Sequence, residues 1–234
     1  MNPDPDPGRD GGGYYRTALS GSRLRRCYDI APPRVRQYLD AELAHTSTLV
    51  SGASRVLELG CGYGRALRTM SHACRFIVGI DTSQESLALA HSYLNGIVNC
   101  RLACMDAATP GFRDQTFDAV ICIQNGISAF HLDPDMLVRN ALRQVRPGGI
   151  AIFSTYAAQF WPHRLEWFVR QSDEHLIGEI DWTATREGQI RCRDGFTATT
   201  FTPAQFDALA RRHKLDARVE VVDESSVFWV LGIV

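Results

Sequence analysis

The chain has 234 residues, 45% of them apolar and 22% charged, with a formal net charge of −1. That length allows one sizeable core and a small appended subdomain, and the balanced charge excludes a global pull toward nucleic acid or an anionic membrane. No apolar run approaches the ~18 residues of a membrane-spanning helix, so none is expected.

Residues 1–13 are rich in Pro, Asp and Gly and lack an apolar stretch, so a disordered tail is expected and not a signal peptide. Seven cysteines, with no C-x-x-C pair, fit a reducing compartment, and a cytoplasmic location is expected. Lys214 is the only lysine, which reads as a genome bias. Tyr14 and Tyr15 precede a basic stretch that holds Arg23, Arg25, Arg26, Arg34 and Arg36. Its plain reading is the solvated face of short helices. Its sharper reading is an N-terminal helical lid over 14–52 that closes on a ligand. Pro32-Pro33 starts a helix over 34–50, where Val35, Tyr38, Leu39, Leu43 and Leu49 follow helical spacing.

An alternation then begins. Strands are expected over 55–59, 75–81, 100–104, 117–123 and 150–155. Helices are expected over 65–73, over 84–93 with Thr82 or Ser83 as cap, and from Asp133-Pro134 to about 145. Pro147-Gly148-Gly149 reads as the turn into the fifth strand. Such a pitch implies βαβ units, a mostly parallel sheet and right-handed crossovers. The pattern breaks after Tyr156. Residues 157–200 hold Trp161, Trp167 and Trp182, and a small antiparallel hairpin is expected between 179–185 and 189–193 around Gly188. A helix over 203–212, capped by Thr202, precedes two strands over 217–222 and 227–233.

The stretch 55–64 reads R-V-L-E-L-G-C-G-Y-G. A buried strand runs straight into three glycines, which allow positive φ and let a ligand approach the backbone. A dinucleotide fingerprint, G-x-G-x-x-G, would need its third glycine where Arg65 stands. The pattern E-x-G-x-G-x-G, from Glu58 through Gly60, Gly62 and Gly64, instead resembles motif I of the class I S-adenosylmethionine-dependent methyltransferases. The resemblance extends from about residue 34 to the end and somewhat resembles the glycine and sarcosine N-methyltransferase group. It implies an α/β fold: a seven-stranded, mostly parallel Rossmann-like sheet flanked by helices. It divides the chain into a core over 53–156, a substrate cap over 157–200 inserted after the fifth strand, and a completing segment over 201–234.

The resemblance also implies roles. Glu58, Gly60, Cys61, Gly62 and Gly64 would hold the amino-acid end of S-adenosylmethionine. Asp81, with Thr82 beside it, would grip the ribose diol. Asp106 would accept from the adenine amine while Met105 and Ala107 cover the ring, and Gln124 would lie near the methyl group. Asn125 and His131 are the catalytic candidates, His131 as a general base. Tyr14, Tyr15, Tyr28, Asn125, Trp161, Arg164 and Trp167 are the candidates for contacting the acceptor. Cys100, Cys104 and Cys122 read as core residues, and no metal site is expected. The absence of an N-P-P-Y motif and of a Pro-Cys dipeptide argues against a nucleobase or release-factor substrate. The expected partner is a small-molecule acceptor, with no nucleic acid and no membrane, and the chain is expected as a monomer or homodimer. A neutral amine or a thiolate needs no strong base, so transfer to nitrogen or sulfur is expected. The alternatives are an O-methyltransferase with His131 as base, a binding protein without turnover, a nicotinamide oxidoreductase or, from the basic N-terminal stretch, a nucleic-acid methyltransferase.

Overall fold

The structure, a computed structural model, describes residues 13–233. The expected tail therefore lies outside the described residues, Gly13 excepted. One seven-stranded sheet organises the chain, in the order β3-β2-β1-β4-β5-β9-β8. Its parallel half comprises β1 (Val56–Leu59), β2 (Ile77–Asp81), β3 (Cys100–Cys104), β4 (Phe117–Cys122) and β5 (Val145–Tyr156). β8 (Asp216–Val222) and β9 (Ser226–Gly232) complete it, with β9 antiparallel to both β5 and β8. The expected seven-stranded fold is thus present.

Every residue of β1 is buried, as a central parallel strand covered on both faces requires. Leu57 and Leu59 face one layer, which holds α7 (Pro134–Gln144) and α9 (Pro203–His213). Val56 faces the other, which holds α3 (Pro33–Leu49), α4 (Arg65–Met70) and α5 (Gln84–Tyr93). Glu58 alternates onto Val56's side, so the motif carboxylate points toward α3 and α4. Local chemistry sets the helix starts. Ser83 caps α5, its hydroxyl accepting from the Ser86 N–H at 3.1 Å. Thr202 and Gln205 form a reciprocal capping box on α9.

Four expectations need correction. The 157–200 insertion opens with a helix, α8 (Trp161–Asp173), where none is expected from the sequence. Its ladder pairs β6 (Gln189–Arg191) with β7 (Thr197–Thr199), and the 179–185 stretch touches the 189–193 stretch only through isolated bridges. Pro147-Gly148-Gly149 lies within β5: Phe117 pairs with Val145 and Ala119 with Ile150, so the extra residues bulge out, with Gly148 at φ +76°. Cys104 also departs from the core reading, because it is exposed at the strand end while Cys100 is buried. A four-residue helix, α6 (Gly126–Ala129), follows β4.

A third apolar cluster joins the N-terminal helices to the insertion. It combines Leu19, Cys27, Tyr38 and Leu39 with Tyr156, Trp167, Phe168 and Phe196. α1 (Tyr14–Thr17) and α2 (Gly21–Asp29) therefore pack across the carboxyl edge of the sheet, where a doubly wound sheet holds its ligand.

Candidate active site

A cavity of about 380 Å³ lies at that edge, between the glycine turn below and the N-terminal helices above. Gly60, Gly62 and Gly64 all take positive φ (+71°, +52° and +88°), which glycine adopts without strain. A Cβ on Gly60 would collide with the Phe130 ring, so glycine is also the only residue that leaves room there. The turn is braced from β2. The Asp81 carboxylate accepts the Gly62 N–H through Oδ2 at 2.8 Å and the Ser83 N–H through Oδ1 at 2.8 Å. Each oxygen keeps a lone pair for a diol. Burial pushes the Asp81 pKa up, partly offset by these amides.

Glu58 is 4% exposed, lines the cavity and has an Oε2 with no hydrogen-bond partner. Burial raises its pKa to about 8, against the opposing pull of the Arg65 guanidinium. A buried carboxyl oxygen without a partner fits an ammonium group. Met105, Asp106 and Ala107 line the cavity beyond β3, and Asp106 Oδ1 accepts the Ala108 N–H at 2.8 Å, leaving Oδ2 open. The residues present thus fit a ligand with an ammonium, a diol and an aromatic amine, as S-adenosylmethionine carries.

β4 ends in two left-handed residues, Gln124 at φ +55° and Asn125 at φ +62°. Such strain costs about 1–3 kcal/mol per residue and persists only where neighbours over-determine it. Here they do. The Gln124 N–H donates to Ser154 Oγ at 2.8 Å and to Glu42 Oε1 at 3.1 Å, and Ser154 Oγ donates to Glu42 Oε1 at 2.5 Å. Gln124 lines the cavity; its Oε1 accepts from the Tyr28 hydroxyl at 2.8 Å and its Nε2 has no partner.

The structure brings together most of the candidates. Tyr15, Tyr28, Trp167, Glu58, Gly60, Cys61, Gly62, Asp81, Thr82, Met105, Asp106, Ala107 and Gln124 all line the one cavity. Six do not. Gly64 caps α4 in a left-handed conformation. Asn125 is buried in a structural role, its Oδ1 accepting from Thr155 Oγ1 at 2.7 Å and its Nδ2 donating to the Thr199 carbonyl at 2.8 Å. His131, at φ +52°, is exposed and lies outside the cavity lining, although its neighbours Phe130 and Leu132 line it. The Tyr14 hydroxyl donates to Asp194 at 2.6 Å and fastens α1 to the insertion. Trp161 and Arg164 line a neighbouring cavity, and Tyr156 stands in the wall of both. Arg65, Tyr38, Phe130 and Tyr156 line the ligand cavity and escaped the sequence reading. Of these, Arg65 carried a signal, since it stands where the motif departs from the dinucleotide pattern.

Residues 56–149 match a family described as a methyltransferase domain. The chain is 28% identical to a malonyl-[acyl-carrier protein] O-methyltransferase of Marinomonas sp. over 68% of this chain and 62% of that protein. It is 30% identical to a ubiquinone biosynthesis O-methyltransferase of Neisseria meningitidis over 56% of this chain and 53% of that protein. It thus spans between half and two thirds of the length of these relatives. Among solved structures, the N-methyltransferase NodS of Bradyrhizobium japonicum, in complex with S-adenosyl-L-homocysteine, superposes with a TM-score of 0.57 and 14% identity, over 91% of this chain and 96% of that one. At that identity the likeness speaks to the fold, the Rossmann-like class I methyltransferase fold.

Proposed function

We propose that this chain, whose residues 56–149 are a methyltransferase domain, transfers the methyl group of S-adenosylmethionine to a small-molecule acceptor inside the roofed cavity. The observation that carries the reading is the convergence of Glu58, Asp81 and Asp106 on one enclosed space beside the glycine turn. When bound, S-adenosylmethionine supplies a sulfonium-activated methyl group. The chain's own residues bind, orient and exclude water. Glu58 pairs with the ammonium, Asp81 takes the ribose diol, and Asp106 accepts from the adenine amine between Met105 and Ala107. Gln124, held by its strained backbone and by Tyr28, faces the acceptor. Alignment is the main contribution, since effective molarities of well-oriented groups reach about 10⁵ M or more.

The cavity lining includes no histidine among the described residues. Its phenols make poor bases at neutral pH, because burial pushes the pKa values of Tyr28, Tyr38 and Tyr156 up. These features favour an acceptor atom that arrives already nucleophilic: a neutral amine, a thiolate or an oxygen that is already ionised. A hydroxyl acceptor with His131 as base fits the geometry less well. Titration of S-adenosylhomocysteine against Asp81→Ala tests the cofactor assignment. Loss of two charge-assisted hydrogen bonds predicts affinity at least ~30-fold weaker, and an unchanged dissociation constant would refute it. Release of S-adenosylhomocysteine across an acceptor panel separates turnover from binding alone.

A further inference from the structure

Arg164 is the most deeply buried cation described, 1% exposed in the first turn of the insertion helix. Its guanidinium donates to Thr200 Oγ1 and to the Thr199 carbonyl, the latter at 3.2 Å, and its Nε has no partner. It stacks over the Tyr156 ring at 4.4 Å and lies 5.4 Å from the Phe168 ring centre. The groups that face it are phenols, those of Tyr156, Tyr15 and Tyr38. It makes no ion pair among the described residues, whereas Arg26 pairs with Glu174 of the insertion at 2.9 Å and Arg193 with Glu179 at 3.1 Å.

A desolvated cation without a counterion is costly, and aromatic faces offset only part of that cost. Tyr15, Tyr38 and Tyr156, the three phenols around Arg164, also line the ligand cavity, and the Tyr38 hydroxyl is buried without a partner. The cavity therefore ends in a wall of hydroxyl donors backed by an unneutralised guanidinium. We infer that the methyl acceptor is a small oxyanion, a carboxylate or a phosphoryl compound, whose charged end is bound by the hydroxyls of Tyr15, Tyr38 and Tyr156, with the Arg164 guanidinium behind the Tyr156 ring as its counter-charge. The inference rests on the transferase reading and names the acceptor class for that site. It also accounts for the missing base: an oxygen of the anion would form the bond to the methyl carbon as the sulfur–methyl bond breaks, S-adenosylhomocysteine would leave as the neutral thioether, and no proton has to be removed.

The test uses the full chain and two probes, inorganic phosphate and acetate, titrated with and without saturating S-adenosylhomocysteine. At least one probe should bind with a dissociation constant of about 1–10 mM, within reach of a single charge-assisted site. Arg164→Gln should weaken it tenfold or more while S-adenosylhomocysteine affinity stays within twofold. Tyr15→Phe alters a half-buried residue of the lid, leaves the core intact and should weaken the same probe several-fold. The stronger probe tells carboxylate from phosphoryl acceptors. If both variants bind phosphate and acetate as the native chain does, or if neither probe binds the native chain, the inference is wrong. If the anion binds but S-adenosylhomocysteine does not, the transferase reading fails and the anion site stands. An acceptor screen adds a second reading: acids should release S-adenosylhomocysteine where their uncharged amides do not, and equal turnover of both would overturn the assignment.

Discussion

Three carboxyl groups, those of Glu42, Glu58 and Asp81, sit together under the cavity, and burial raises the pKa of each. The folded chain therefore holds these protons to a higher pH than the unfolded chain does. For Glu58 the window runs from 4.5 to about 8, and the free energy of unfolding contributed by this group falls as pH rises across it. The urea midpoint of the ligand-free chain should accordingly drop between pH 5 and 8, and Glu58→Gln should flatten that drop. An ammonium needs the ionised carboxylate, so S-adenosylhomocysteine should bind more tightly as pH rises toward 8, by up to about tenfold per unit. The glutamine variant should lose both the affinity and the slope in calorimetric titrations. Asn125 is a different case. Its replacement by alanine leaves the Thr155 hydroxyl without its acceptor, takes one donor from the Thr199 carbonyl and loses asparagine's tolerance of φ +62°, so a stability loss of about 2–4 kcal/mol is expected by chemical denaturation. His131→Ala should keep turnover within about twofold, because the ring is exposed and does not line the cavity.

At the scale of elements, α2 is the part that closes the site. Gly21 N–H donates to Ser86 Oγ at 3.0 Å on α5, and Ser20 Oγ donates to Glu85 Oε2 at 2.6 Å. On the other side, Arg23 donates to the carbonyls of His175 at 2.6 Å and Leu176 at 2.9 Å, just past α8. The helix thus straps the sheet's own layer to the insertion. Removing those charge-assisted bonds with Arg23→Ala should raise KM several-fold and speed amide exchange in α1 and α2, while exchange in β1 and β4 stays unchanged. The element that sequence periodicity failed to show, α8, has a clear reason. Its buried stripe is Arg164, Trp167, Phe168 and Gln171, and two of those four are polar. A helix that turns polar side chains inward hides its own amphipathic signature. β5 hides its start for a related reason: Pro147-Gly148-Gly149 has the composition of a turn, and only pairing with β4 keeps it within the strand.

Across the whole molecule, the sheet and its two covering layers were legible in the chain. Buried parallel strands are near-continuous apolar runs, their crossovers carry cap residues at predictable offsets, and the glycine turn has almost no alternative conformation. The placement of Glu58, Asp81 and Asp106 around the cavity was legible for the same reason: each lies in or just past the carboxyl half of a strand, so its position follows from local order. What the chain alone left undecided was everything that depends on distant segments meeting. Asn125 looked available for chemistry until Thr155 and the Thr199 carbonyl claimed it. Arg164 looked like one arginine among many until the fold buried it among phenols from three separate segments. Local pattern specifies which element a residue occupies, because backbone dihedrals and burial period are local quantities. Hydrogen-bond partners and counterions are long-range, and only the packed tertiary structure decides which polar side chains are satisfied and which are left to meet a ligand.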